Sequence, residues 1–265
     1  MTTPAISIQL WTVRDELAAD LDGTLQKLSA IGLRHVEAFG FVGREAELAA
    51  AFARHGITSP TGHASLASGV ENPFDASIKV PSADEVFAAA KTLGMTTVID
   101  PFVAPERWQS VEEIAKTAEA LNAAAKAAAE HGITVGYHNH NQEFYKIDDR
   151  FALDIFAELL DDAIIFEVDL YWAQAGGADI VALLERLGDR VKALHVKDGT
   201  LDPLPTIGNV PVDQVPAGQG VVALSAALDA APAAEYAIVE FDAYPGDIWQ
   251  GVTASFEFLT ARGLA

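Results

Sequence analysis

Short runs of apolar and β-branched residues recur along this chain, separated by longer stretches in which apolar residues return every three or four positions. The short runs fall at 5–10, 34–39, 57–62, 96–101, 133–138, 164–169, 192–197 and 236–241. They are apolar with little alternation, the pattern of strands covered on both faces, as in a parallel sheet. The stretches between them predict helices over 21–31, 44–55, 82–93, 111–131, 149–160, 178–187, 221–231 and 247–262. Five joints share one phrase: a helical end, a glycine, then the apolar run. The glycines are Gly32, Gly56, Gly94, Gly132 and, in a weaker form, Gly188. Each stands where a helix ends in a left-handed residue, a conformation that a Cβ penalises. Ser82, with Glu85 three positions on, has the form of a capping box opening the third helix.

Eight strands alternating with eight helices predict an α/β protein, a single (β/α)8 TIM barrel forming one domain over residues 1–265. The competing doubly wound sheet usually opens with a Gly-rich turn after its first strand. Here that strand runs into QLWTVRDEL, which has no glycine. No linker or low-complexity segment divides the chain. The least regular stretches, 64–81 and 199–220, follow the third and seventh strands. They would lie on the catalytic face of a barrel as candidate lid segments.

Composition narrows the function. Half of the 265 residues are hydrophobic, enough for one large core. The net charge of −21 repels phosphate backbones and anionic lipid, so neither nucleic acid nor membrane is an expected partner. The absence of cysteine excludes disulfides, zinc–thiolate sites and iron–sulfur clusters. The opening MTTPAISIQL does not read as a secretory signal, and no apolar run approaches the roughly 18 residues of a membrane helix, so a cytoplasmic location is expected.

In a barrel, the reaction site is built from the C-terminal ends of the strands. The ends here are polar: Gln9 and Trp11, Glu37, His63, Asp100, then His138, Asn139 and His140 with Glu143 just beyond. Glu167 and Asp169, His195, Lys197 and Asp198, and Glu240 and Asp242 follow. Charges in a dry interior must pair or bind a cation. Asp169, His195 and Glu240 together suit a hard or borderline divalent ion. Because residues i and i+2 share a strand face, His138 and His140 lie opposite Tyr137 and Asn139, and only one of these faces can meet the barrel centre. His35 begins a strand, while His55 and His131 end helices, where an imidazolium favours the dipole. These three are assigned to structure.

The phrases SIQLWTVRDEL (7–17), YHNHNQEF (137–144), EVDLYWAQAGG (167–177), LHVKD (194–198) and VEFD (239–242) resemble the xylose-isomerase-like barrel superfamily, in its sugar isomerase, epimerase and inosose-dehydratase-like branch. That resemblance implies a metal held by Glu143, Asp169, His195 and Glu240, with Mn2+ first in line and Mg2+, Co2+ or Zn2+ as alternatives. Two departures stand out: Tyr137 occupies a place comparable to that of the strand-5 glutamate of relatives, so that Glu143 or a histidine must substitute for it, and Gly218-Gln219-Gly220 replaces a Gly-Glu-Gly phrase. The implied activity is isomerisation or epimerisation of a keto-sugar or polyol, by proton abstraction next to a carbonyl through a metal-stabilised enediolate. Glu143, Glu240 and His140 are the candidate catalytic groups. Trp11, Glu37, His63, His138, Lys197 and Trp172 are the candidate substrate contacts. A lyase expelling a substituent from a 3-keto-glycoside or inosose is the alternative, and the His138–His140 pair suits its chemistry. A non-catalytic sugar-binding barrel is a second alternative, and a homo-oligomer or a small partner subunit would fit either. DNA-repair relatives use three metals and more histidines, and the −21 charge counts against that branch.

Overall fold

The computed structural model describes residues 3–67, 80–207 and 209–265. Eight parallel strands close into a barrel: β1 (Ala5–Gln9), β2 (His35–Phe39), β3 (Thr58–His63), β4 (Thr97–Asp100), β5 (Thr134–His138), β6 (Ile165–Asp169), β7 (Val191–Val196) and β8 (Tyr236–Val239). Each strand pairs with its neighbours in sequence. Closure comes from β8 lying beside β1, with Ala5 opposite Tyr236 and Ile8 opposite Val239. The eight helices expected from the periodicity are Leu21–Ile31, Glu45–His55, Ala83–Leu93, Val111–Glu130, Ala152–Leu159, Ile180–Leu187, Leu224–Ala230 and Ile248–Ala261. No helix among the described residues is long and apolar enough to cross a membrane.

Local chemistry sets the ends of these helices. Ser82 Oγ accepts from Glu85 N while Glu85 Oε2 accepts from Ser82 N, a complete capping box. The five phrase glycines all have positive φ, from +56° at Gly188 to +120° at Gly32. Two helices start three residues later than their pattern suggests. Residues 146–147 and 150–151 pair as a small ribbon, so the fifth helix begins at Ala152. The helix expected from 221 begins at Leu224, because the chain before it is held by Asp198. That buried carboxylate accepts from Gly199 N (2.9 Å), Gly218 N (2.9 Å), Gly220 N (2.9 Å) and Val222 N (3.1 Å). A short helix, Leu170–Ala175, appears where β6 ends, capped by Asp169 accepting from Trp172 N.

Strand alternation divides the core in two. The outward faces, with Ile6, Ile8, Val36, Ala38, Val98, Val135, Val168, Leu194, Val196 and Val239, pack against the helices in one continuous apolar cluster. Inside the barrel the apolar filling is thin: Ile99, Ile165, Ala193 and Ile238 are buried but separate from that cluster. Gly136 belongs to this plug, and a Cβ there would lie 2.7 Å from Ile165 Cδ1. Above the plug the inward positions Gln9, Glu37, His63, His138, Glu167, Asp169, His195 and Glu240 are polar, with Phe39 an apolar exception at the rim. Of the stretches expected as lids, 199–220 is pinned by Asp198 and by a ribbon of Asp198–Gly199 with Gln214–Val215. Most of 64–81 lies outside the described residues.

Two glycines separate steric from conformational cost. A Cβ on Gly220 would meet Asp198 Oδ1 at 2.2 Å and the Gly199 carbonyl oxygen at 2.4 Å, whereas one on Gly132, at φ +71°, meets nothing within 4 Å. Gly132→Ala should cost about 1–2 kcal/mol, from backbone strain alone. Gly220→Ala should cost about 3 kcal/mol or more, because it also dislodges the Asp198 cradle. Thermal unfolding of the two variants gives the order, and equal losses would show that the cradle adds nothing to stability.

Candidate metal centre

Two layers of ionisable side chains fill the barrel above the apolar plug. The lower layer is a closed network. Glu37 Oε1 accepts from Gln9 Nε2 at 2.8 Å, and both His63 Nε2 and His195 Nε2 lie 2.9 Å from it. Glu167 Oε1 has His63 Nε2 at 2.8 Å, His195 Nε2 at 2.9 Å and His138 Nδ1 at 3.0 Å. Glu37 and Glu167 are wholly buried, and the second oxygen of each has no partner. These contacts join β2, β3, β5, β6 and β7 across the barrel.

The upper layer lies at the strand ends. His195 Nδ1 is 2.7 Å from Glu240 Oε2 and 4.0 Å from Asp169 Oδ2, and His138 Nε2 is 3.9 Å from that same Asp169 oxygen. Lys197 Nζ reaches Asp169 Oδ2 (2.9 Å), Glu240 Oε2 (2.8 Å) and Asp242 Oδ2 (2.7 Å). The donor atoms of His138, Asp169, His195 and Glu240 all lie within 4.8 Å of one another. His63, His138, Glu167 and His195 form a second such group in the lower layer.

Burial and neighbouring charge pull these groups apart. For Glu240, burial works against ionisation, but Lys197 and His195 win and hold it well below the usual carboxylate range. Burial lifts Asp169 to about 6, against the opposing pull of Lys197. His63 is raised to about 10, because Glu37 and Glu167 outweigh its desolvation. Burial pushes His138 far down, with help from the charge of His195. His140 falls to about 3 through burial and the nearby Lys197.

A divalent ion fits the upper layer. Buried Asp169 and Glu240 and half-buried Asp242 share one ammonium there, an excess of carboxylate that a cation relieves. Two imidazoles and two carboxylates are the donors of a borderline divalent ion. Asp169, His195 and Glu240 are brought together as the sequence suggests, but the fourth member is His138, expected as a substrate contact. Glu143 is elsewhere. It follows β5 in a short helical turn, Gln142–Phe144, and its carboxylate accepts from Tyr137 Oη (2.7 Å) and His140 N (2.9 Å). Tyr137 faces the helix layer, in edge contact with Phe156 and against Trp108, so Glu143 sits behind the strand. Burial there raises it to about 7, in spite of the Tyr137 hydrogen bond.

A cavity of about 730 Å³ opens over the upper layer, lined by Trp11, Phe39, His63, Phe102, His138, His140, Trp172, Glu240 and Asp242 among others. Trp11 and Phe39 meet edge to face, and the His140 ring lies between Phe102 and Trp172. His140 Nδ1 and Trp172 Nε1 are buried without a partner. Of the expected substrate contacts, Glu37 is too deep to line this cavity, and Lys197 lies at its base against Glu240 and Asp242. Sequence reasoning did not single out Gln9, Glu167 or Asp242 as part of the network. Their i±2 spacing from Trp11, Asp169 and Glu240 is the signal that marks them. Asp100 is taken up with the loop after β3, accepting from Leu66 N and Ala67 N. His55 pairs with Asp22 and His35 with Thr58, both away from the cavity.

Comparison with known proteins agrees with this architecture. Similar solved structures include a sugar phosphate isomerase/epimerase from Parabacteroides distasonis (19% identity, TM-score 0.77, covering 98% of this chain and 95% of that one). The IOLI protein with a bound zinc atom is another (18%, 0.72, 97% of each chain). A third is the D-allulose 3-epimerase from a Methylomonas species (15%, 0.69, 99% of each chain). A search of curated proteins found no match. A family model described as xylose isomerase-like TIM barrel matches residues 25–261. With that match spanning most of the sequence, and a closed parallel barrel beneath it, the chain belongs to the xylose isomerase-like TIM-barrel family.

Proposed function

We propose that this chain is a divalent-metal-dependent enzyme that acts on a keto-sugar or polyol, removing a carbon-bound proton next to a carbonyl to isomerise or epimerise it. The observation that carries the proposal is the convergence of His138, Asp169, His195 and Glu240 beneath an aromatic-walled cavity. These four side chains would hold the ion. Two imidazoles among them favour Mn2+, Co2+ or Zn2+ over Mg2+. A divalent ion bound there supplies Lewis acidity to the enediolate oxygens.

The protein's own groups supply the rest. Glu240 is kept ionised by Lys197 and His195 and lines the cavity, so it is placed to take a carbon-bound proton. His140 stays neutral at neutral pH and lines the cavity, so its imidazole serves as the second proton acceptor or donor. Lys197 would steady a developing alkoxide, as it already offers protons to three carboxylates. The Trp11–Phe39 corner and Trp172 offer apolar faces for a sugar ring.

One observation favours a second reading, β-elimination from a 3-keto-glycoside or inosose. Glu143 stands behind β5, so among the described residues no second glutamate lines the cavity opposite Glu240. A carboxylate paired with an imidazole suits base-and-acid removal of a leaving group better than proton exchange between two sugar faces.

Dialysis against a chelator should abolish turnover across a panel of keto-hexoses, inososes and 3-keto-glycosides, and Mn2+, Co2+ or Zn2+ should restore it. Glu240→Gln should lose both metal and activity; full retention of both would end the proposal. His140→Asn should keep its metal content and lower kcat about 10²–10⁴-fold. NMR of products formed in deuterated water separates the two readings: deuterium at the carbon beside the carbonyl marks isomerisation, and loss of an oxygen substituent marks elimination.

A further inference from the structure

The lower layer poses its own question, because His63, His138, Glu167 and His195 also have the makings of a metal site. The two groups share His138 and His195, each of which turns one ring nitrogen up and the other down. A neutral imidazole has one lone pair and one N–H. If the downward nitrogens held an ion, their protons would move to His138 Nε2 and His195 Nδ1, and the upper group would lose both imidazole donors. The two sites therefore exclude each other unless the rings become imidazolates.

Several observations choose the upper one. Its carboxylate Glu240 lines the cavity, whereas Glu167, the carboxylate of the lower group, is sealed beneath it, and the imidazoles of His63 and His138 reach the cavity wall in either case. The atoms gathered around Glu37 Oε1 and Glu167 Oε1 are all potential proton donors: His63 Nε2, His138 Nδ1, His195 Nε2 and the Gln9 amide. That is the surrounding of an anion. Metal-bound histidines commonly donate their second N–H to a carboxylate, which fixes the tautomer and the ring orientation.

We propose that Glu37 and Glu167 are positioning residues that hold His138 as the Nδ1–H tautomer and His195 as the Nε2–H tautomer, so that His138 Nε2 and His195 Nδ1 face a single ion. Glu167 serves both rings. Glu37, oriented by Gln9, serves His195, and His63 bridges the two carboxylates from the side. This inference rests on the metal reading above. It adds that Glu167, beside His138 in register on β6, sets the β5 imidazole in its ligating tautomer and strengthens its hold on the ion.

Two measurements test it. Titration of metal-stripped protein with Co2+, followed by calorimetry and visible absorption, should give one ion per chain. Glu167→Gln and Glu37→Gln should keep that stoichiometry and the wild-type circular dichroism while binding Co2+ about 10–100-fold more weakly. Long-range 1H–15N correlation on the Zn2+-loaded wild-type protein reads the tautomers directly and does not depend on a variant folding. Two Co2+ per chain, with one lost in Glu167→Gln, would make the pair ligands of a second ion and overturn the inference. Unchanged affinity in both variants, or the opposite tautomer at either ring, would also overturn it. A wild-type chain that binds no Co2+ would remove the metal reading itself, whereas wild-type binding with unaffected variants removes only this inference.

Discussion

The interior of this barrel is held together by the cost of leaving a charge unpaired. Glu37, Glu167, Asp169, Glu240 and Asp242 share one enclosed space with Lys197 and the imidazoles of His63, His138 and His195. None of these groups could occupy that interior alone, since an isolated buried charge costs several kcal/mol or gives up its ionisation. Each is tolerated because its neighbours have the opposite sign or a complementary proton. The network spans strands far apart in sequence, with the His63–Glu167 contact linking β3 to β6. Barrel closure and charge pairing thus depend on each other: the strands must come round for the pairs to form, and the pairs make a polar interior affordable.

That constraint explains where stability resides. With so little apolar filling inside, cohesion comes from the outward faces of the strands against the helices, where one cluster runs round the whole molecule. It also explains how the rim is organised. Carboxylates hold the loops by their backbone N–H groups: buried Asp198 gathers Gly199, Gly218, Gly220 and Val222, buried Asp100 the start of the segment after β3, and half-buried Asp213 the backbone at Leu201. The acidity of the chain is therefore structural at the rim as well as protective at the surface.

The same arrangement shapes the chemistry. A site built from two imidazoles and two carboxylates is less negative than one built on three carboxylates, and its histidines need fixed tautomers to act as ligands. In the proposed site the carboxylates of the lower layer would take that task, while Glu240 and His140 line the cavity above and Lys197 touches Glu240 from below. The withdrawal of Glu143 follows from strand geometry. Beyond His138 the strand ends, the chain turns, and Tyr137 on the outer face provides the nearest hydrogen bond for the carboxylate.

The sequence by itself determined the strand and helix positions, the glycine helix ends, the capping box at Ser82 and the convergence of Asp169, His195 and Glu240. The first three follow from local periodicities of two and 3.6 residues or from short-range backbone chemistry, and the last from the rule that a barrel gathers its strand ends on one face. Strand alternation also put His138 and Tyr137 on opposite faces. Only the tertiary structure decided that His138 joins those three residues in place of Glu143, that Glu37 lies beneath the cavity, and which nitrogen of each histidine faces which carboxylate. Alternation says which residues share a face, but it stops where the strand stops. It also says nothing about which side chains meet across a closed barrel, because those contacts are set by the register of strands brought together from opposite ends of the chain.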